Sequence, residues 1–119
     1  MSKAMTPSRS ENWLIRFDPA VGDEIRKTRP AVVVNTDDVG GLALRLVVPL
    51  TDWKPHYAGF SWFTFVPANA GNGLSKDSAA DAFQIKSISL SRFVRRLGIV
   101  TDLEIESIAD SVAICVGTD

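Results

Sequence analysis

The chain has one cysteine and one histidine in 119 residues, and its formal net charge of −1 leaves no excess of cations. A single cysteine, Cys115, excludes an intramolecular disulfide framework and fits a reducing compartment, where it is expected to act as a small buried hydrophobe. One His and one Cys without clustered spacing exclude a zinc site of the usual kind, while a carboxylate-only magnesium site stays open. A nucleophilic triad built on histidine would have to use His56, which sits between Pro55 and Tyr57 and is expected on an exposed loop. Neither G-x-x-x-x-G-K-[ST] nor G-x-G-x-x-G occurs, so nucleoside triphosphate and dinucleotide chemistry lack support. No apolar run approaches the roughly eighteen residues of a membrane span, and the opening MSKAMTPSRSEN holds no apolar core of a signal peptide. These absences describe a soluble, cytoplasmic chain with one domain over residues 12–119, preceded by a flexible leader over 1–11.

Charge is unevenly placed. Asp102 to Asp119 holds five acids and no Lys or Arg, which leaves nine acids against thirteen cations in the rest, a body of +4 and a tail of −5. Within the body the densest cationic stretch is GDEIRKTRPAVVVN, Gly22 to Asn35, where Arg26, Lys27 and Arg29 precede a proline and an unbroken apolar run. Arginine offers a fixed fork of donors that matches phosphate oxygens and stays charged at any relevant pH. Three cations at the mouth of a rigid strand would hold a phosphate in a defined place. The same residues would equally serve as a solvated loop pairing with Asp23 and Glu24, and composition leaves both readings open.

Strand signals dominate. Trp13–Phe17 (WLIRF) ends at Asp18-Pro19, and the polar segment Pro19–Thr28 follows as a long loop. Arg29-Pro30 opens a second strand, apolar on both faces over Ala31–Val34 and hence central. Leu42–Leu50, ending at Thr51, and Phe60–Val66 make the third and fourth. Phe83–Ile88 and Leu97–Val100 flank a basic turn, LSRFVRR. The close differs in kind: Thr101 and Glu104 form a capping box, Ile105, Ile108, Val112 and Cys115 recur at helical spacing, and Gly117 is a stop. The expected fold is mainly β with a C-terminal helix, a small, strongly bent antiparallel sheet or barrel.

Taken in order, WLIRFDP (Trp13–Pro19), Gly22-Asp23-Glu24, KTRPAVVV (Lys27–Val34), VPLT (Val48–Thr51) and QIKSI (Gln84–Ile88) resemble the signature of the MazF/PemK toxins, over a stretch from about Ser10 to the C-terminus. The resemblance implies an SH3-like barrel of the CcdB/PemK kind, a homodimer, and a ribosome-independent endoribonuclease held in check by a cognate antitoxin. It assigns Arg29, in the R-P step, and Thr51, closing V-P-x-T, as catalytic, with Glu24 beside the RNA site. It implies no metal and no cofactor.

Chemistry supports that pairing. When a 2′-hydroxyl attacks its neighbouring phosphorus to give a 2′,3′-cyclic phosphate and a 5′-hydroxyl, negative charge builds on the non-bridging oxygens. A pre-placed guanidinium and a hydroxyl suit that charge. Glu24 is a candidate base, whereas the high pKa of arginine makes it a poor acid. Single-stranded RNA would stack bases on Trp53, His56 and Tyr57, with Arg26, Lys27, Lys54, Gln84 and Lys86 as further contacts and Arg92 within reach of a flanking phosphate. Phe60, Trp62, Phe63 and Phe65 are expected in the core or a dimer interface. Phe83 stands where relatives often carry an acid, and Asp52 where a small hydroxyl residue is usual. The rival reading is a non-catalytic SH3-like binding module, or a gyrase poison of the CcdB type, which fold alone would not separate.

Overall fold

The computed structural model describes residues 6–118. Seven strands form, most of them rich in branched and aromatic residues: β1 (Glu11–Arg16), β2 (Thr28–Val33), β3 (Leu44–Asp52), β4 (Phe63–Val66), β5 (Ser78–Asp81), β6 (Lys86–Ser89) and β7 (Phe93–Ile99). One helix, α1 (Asp102–Cys115), closes the chain. The strands hydrogen-bond in the order β4-β5-β3-β2-β1-β7, with β6 added to β3, and every pairing is antiparallel. The nine-residue β3 is the spine. Its first half pairs with β6, Leu44 opposite Ser89, and its second half with β5, Leu50 opposite Ala80. One strand shared by two partners forces the sheet to bend. The bent antiparallel sheet with its terminal helix is therefore as expected, although the ring stays open between β4 and β7.

Two apolar cores follow from strand alternation. Ala31 and Val33 of β2 join Trp13, Ile15, Phe17, Val47, Ile88 and Phe93, while Val32 joins Val48, Leu50, Val66, Ala80, Val100, Ile105 and Ile108. All three β2 residues are fully buried, as a strand apolar on both faces requires. Each fully buried Val, Leu or Ile contributes about 1.5–3 kcal/mol. The second core is lidded by α1. Its capping box is complete, with Glu104 N donating to Thr101 Oγ1 at 3.1 Å and Thr101 N to Glu104 Oε1 at 2.9 Å, and Gly117 takes φ +81° past the end. Ile105 and Ile108 are buried, but Cys115 is only half-buried, so it is not the core residue expected.

Boundaries move for identifiable reasons. β1 begins at Glu11 because Ser10 N donates to Val33 O (2.9 Å) and Ser8 N to the Glu11 carboxylate (2.8 Å), so residues 8–10 of the leader are bonded to the body. The leader's first five residues lie outside the described range. β4 starts at Phe63, since Phe60–Trp62 turns outward with Phe63 N donating to Phe60 O. The SAAD strand β5 lacks the large residues that announce a strand; its alanines fit because β3 and β4 close on it from both sides. Phe83 does not open a strand. Asp81 caps a 3-10 turn over Ala82–Gln84 by accepting from Phe83 N, and β6 begins only at Lys86. The basic LSRFVRR segment is a turn only at Leu90–Arg92. Phe93 anchors the rest as β7 by packing edge-on to Trp13, centroids 5.6 Å apart.

Candidate functional site

The β2–β3 register pairs Ala31 with Pro49, Val32 with Val48 and Val33 with Val47. That pairing ends at Ala31–Pro49; Arg29 on β2 and Thr51 on β3 lie two residues beyond it on their strands. Both border one open cleft of about 340 Å³, over a floor that includes Leu14, Pro30, Leu50 and Leu74. Arg29 is exposed, and none of the three ion pairs among the described residues uses it: these are Lys76–Asp52 (3.6 Å), Lys86–Glu24 (3.3 Å) and Arg96–Glu11 (3.1 Å). Arg29 is thus exposed to a ligand and engaged in no direct ion pair among the described residues. Arg95 and Lys76 add two cations to the rim, with Asp52 offsetting Lys76. A hydroxyl and a guanidinium bordering one cleft from adjacent strands suit a tetrahedral or trigonal-bipyramidal anion.

One wall of the cleft is the loop before β5, and it is held firmly. Asn72 is fully buried; its Nδ2 donates to Pro67 O (2.8 Å) and its Oδ1 accepts from Leu74 N (3.0 Å) and Asn69 N (3.2 Å). Asn12 Nδ2 on β1 donates to Asn72 O at 2.9 Å. Gly73 lies at φ +70°, and a Cβ there would stand 2.2 Å from Leu97 O, so only glycine lets the loop meet β7.

The remaining residues singled out by sequence fall into three groups outside this cleft. Glu24, Gln84 and Lys86 tie down the β1–β2 loop. Glu24 accepts from Val21 N (2.6 Å) and pairs with Lys86, while Gln84 accepts from Ile25 N (3.2 Å) and donates to Asp23 O (3.0 Å). The Val21 amide first, then the Lys86 ammonium, hold the Glu24 carboxyl below its ordinary value. Trp53, His56 and Tyr57 belong to an aromatic ridge: Trp53 packs edge-on to Phe65 (4.8 Å) and Tyr57 stacks on Phe63 (4.0 Å). Phe60 stacks on Trp62 (4.8 Å), which meets Phe83 edge-on (6.0 Å). Phe60, Phe65 and Phe83 are exposed, so this strand's aromatics are not core. His56 lies in a 3-10 turn on that surface, as an exposed-loop reading required. Arg26, Lys27 and Lys54 are exposed; Arg26 donates to Gly22 O, and Lys27 N donates to the Asp18 carboxylate.

Arg95, Lys76 and the Gly73 loop were not legible as site residues. The LSRFVRR run carried the only signal for Arg95, and it read as a turn. Asp81 is the carboxylate nearest in sequence to the position filled by Phe83. It is half-buried, and desolvation raises its carboxyl above the ordinary 3.8 despite the Phe83 amide. Burial likewise pushes the Cys115 thiol up, with the Asp81 charge adding to it.

An open, bent antiparallel sheet with a terminal helix, with an exposed arginine and a threonine on one cleft, defines a small β protein of mixed sheet-and-helix build. Residues 8–116 match the family of PemK-like, MazF-like toxins of type II toxin–antitoxin systems, and the chain belongs to it. It is 34% identical over 110 residues to the endoribonuclease MazF9 of Mycobacterium tuberculosis, covering 87% of this chain and 91% of the relative. It is 31% identical over 110 residues to the endoribonuclease toxin ChpB of Escherichia coli, covering 89% and 90%. The fold is that of MazF from Deinococcus radiodurans, with a TM-score of 0.80 at 21% identity over 96% of this chain and 99% of that one. It is also that of a mycobacterial endoribonuclease solved with its cognate antitoxin, at a TM-score of 0.75, 15% identity, and coverage of 96% and 98%.

Proposed function

We propose that this protein is the toxin of a type II toxin–antitoxin pair and that it cleaves single-stranded RNA at selected sequences without a metal, working in the cytoplasm as a homodimer neutralised by a cognate antitoxin. Family membership and the endoribonuclease relatives support the activity; the placement of Arg29 and Thr51 on one cleft carries the mechanism. In the reaction the 2′-oxygen bonds to phosphorus as the bond from phosphorus to the 5′-oxygen breaks. The 2′-hydroxyl loses a proton and the departing oxygen gains one, leaving a 2′,3′-cyclic phosphate and a 5′-hydroxyl. Arg29 and Thr51 donate to the non-bridging oxygens as charge develops there. Glu24 serves by positioning the β1–β2 loop and Lys86, because a carboxylate held below its ordinary pKa is a weaker base and this one does not border the cleft. Bases flanking the scissile step stack on the Trp53–Tyr57 part of the ridge.

The test is cleavage of a long mixed RNA in EDTA, with the ends characterised. Arg29→Ala and Thr51→Ala should each lose on the order of a hundredfold in rate, about 3 kcal/mol, with circular dichroism unchanged. Intact RNA with the native chain, above all alongside gyrase inhibition, would overturn the assignment.

A further inference from the structure

A second hollow, of about 350 Å³, lies beside the cleft and has no part in the chemistry just described. It is bounded by Arg16, Asp18, Lys27, Thr28, Ser91 and Arg92. Antiparallel partners share a face and alternate residues return to it. The pair Leu14–Pro30 borders the cleft and the pair Arg16–Thr28 borders the hollow, two residues further along the same two strands. That step is about 7 Å, short enough for neighbouring phosphates of one extended strand. Arg95, paired with Leu14, stands on the same face.

The guanidiniums of the hollow are held by main chain rather than by carboxylates. Arg16 Nη2 donates to Ser91 O at 3.0 Å, and Arg92 Nη1 donates to Asp18 O and to Arg16 O. A carbonyl fixes the fork of an arginine without cancelling its charge, and it leaves other N–H groups unused. Lys27 takes a left-handed φ of +67°, fixed by its N–H on the Asp18 carboxylate (2.9 Å) and by Phe17 N donating to Lys27 O (2.8 Å). None of the three ion pairs among the described residues involves Arg16, Lys27 or Arg92. Two held guanidiniums and the Lys27 side chain border the hollow together with one carboxylate, Asp18.

We propose that this hollow is a backbone-phosphate subsite for the RNA strand outside the scissile step, with Arg16 and Arg92 as its clamp. The inference rests on the nuclease reading of the neighbouring cleft. A phosphate on this clamp fixes the register of the strand and carries no sequence information, so it tightens binding of every substrate long enough to reach it.

The experiment compares the native protein, Arg16→Gln and Arg16→Gln/Arg92→Lys on two RNAs with the same cleavage sequence, one extended on both sides and one trimmed to the scissile step and its immediate bases. For the extended RNA, Arg16→Gln should raise KM roughly tenfold with kcat unchanged. Its log–log salt slope should become shallower by about 0.7, the change expected for one phosphate contact on a single strand. The trimmed RNA should show no change, and Arg16→Lys should restore most of the loss. Equal effects on both RNAs, or none on either, would overturn the subsite while native cleavage leaves the nuclease standing. Failure of the native protein to cut either RNA would sink the nuclease reading itself. Weakened antitoxin binding with an unchanged RNA KM would assign the hollow to an acidic protein segment and overturn the proposal.

Discussion

At the scale of single residues, Asp81 carries a cost that its position explains. It caps the Ala82–Gln84 turn from a half-buried site, and desolvation raises its carboxyl above 3.8. A raised carboxyl pKa means that the folded state binds the proton more tightly than the unfolded chain does. Stability therefore falls as pH climbs through the window between 3.8 and the raised value, and the deficit persists above it. Asp81→Asn keeps an oxygen for the Phe83 amide and removes the charge. It should raise Tm at pH 7 and flatten its pH dependence in that window, as thermal melts across pH would show; an Asn variant less stable at every pH would contradict the account. Glu24 has the opposite sign. Its depressed carboxyl contributes stability that is present above 4.5 and lost below the depressed value. Cleavage should accordingly show no inflection near pH 4.5–7 attributable to Glu24, and Glu24→Gln should preserve kcat far better than Arg29→Ala in a pH–rate series.

At the scale of elements, the cleft depends on a loop latched to a strand. Gly73 approaches β7 so closely that a methyl group would overlap the Leu97 carbonyl, and Asn72 satisfies three backbone groups from a fully buried position. Gly73→Ala should push the loop off β7 and cost several kcal/mol in denaturant unfolding, with hydrogen exchange opening first at Ile99, whose N–H donates to Gly71 O at 2.9 Å. Uniform loss of protection across the sheet would contradict that order. This latch was invisible in the sequence, where Pro67–Ser75 read only as a loop rich in Gly and Asn. What did read through was short-range: the RP step before a doubly buried strand, the V-P-L-T ending of β3 and the Thr101–Glu104 capping box. These are signals in which neighbouring residues decide the outcome. β5 and the course of Phe93–Ile99 were set by distant partners, β3 and β4 in one case and Trp13 in the other, and local propensity misjudged both. The lining of the cleft divides along the same line. Arg29 and Thr51 stand in local motifs, whereas the place of Arg95 depends on the β1–β7 register that no local pattern encodes.

At the scale of the whole molecule, cations and aromatics occupy different ground. Arg29, Arg95, Arg16 and Arg92 border two adjoining depressions around β1, β2 and β7, whereas Phe60, Trp62, Phe63, Phe65 and Phe83 form a ridge near β4 and the turn before β6. No helix among the described residues is long and apolar enough to cross a membrane. Phe60, Phe65 and Phe83 are exposed together on the ridge, and a contiguous apolar surface of that kind supports the proposed homodimer. Light scattering after size exclusion should give twice the chain mass, and Phe65→Ser/Trp62→Ser should shift that mass toward one chain; a monomeric native protein would refute dimerisation.

The three tryptophans are divided between these surroundings. Trp13 is enclosed in the first core at 8% exposure, whereas Trp53 and Trp62 stand half-covered on the ridge. The chain therefore carries its own optical reporters. Nucleobases arriving at the Trp53–Tyr57 part of the ridge would quench the emission of Trp53, separation of the two chains would shift that of Trp62, and only loss of tertiary structure would disturb that of Trp13, so occupancy, assembly and unfolding can be followed in one cuvette without a label.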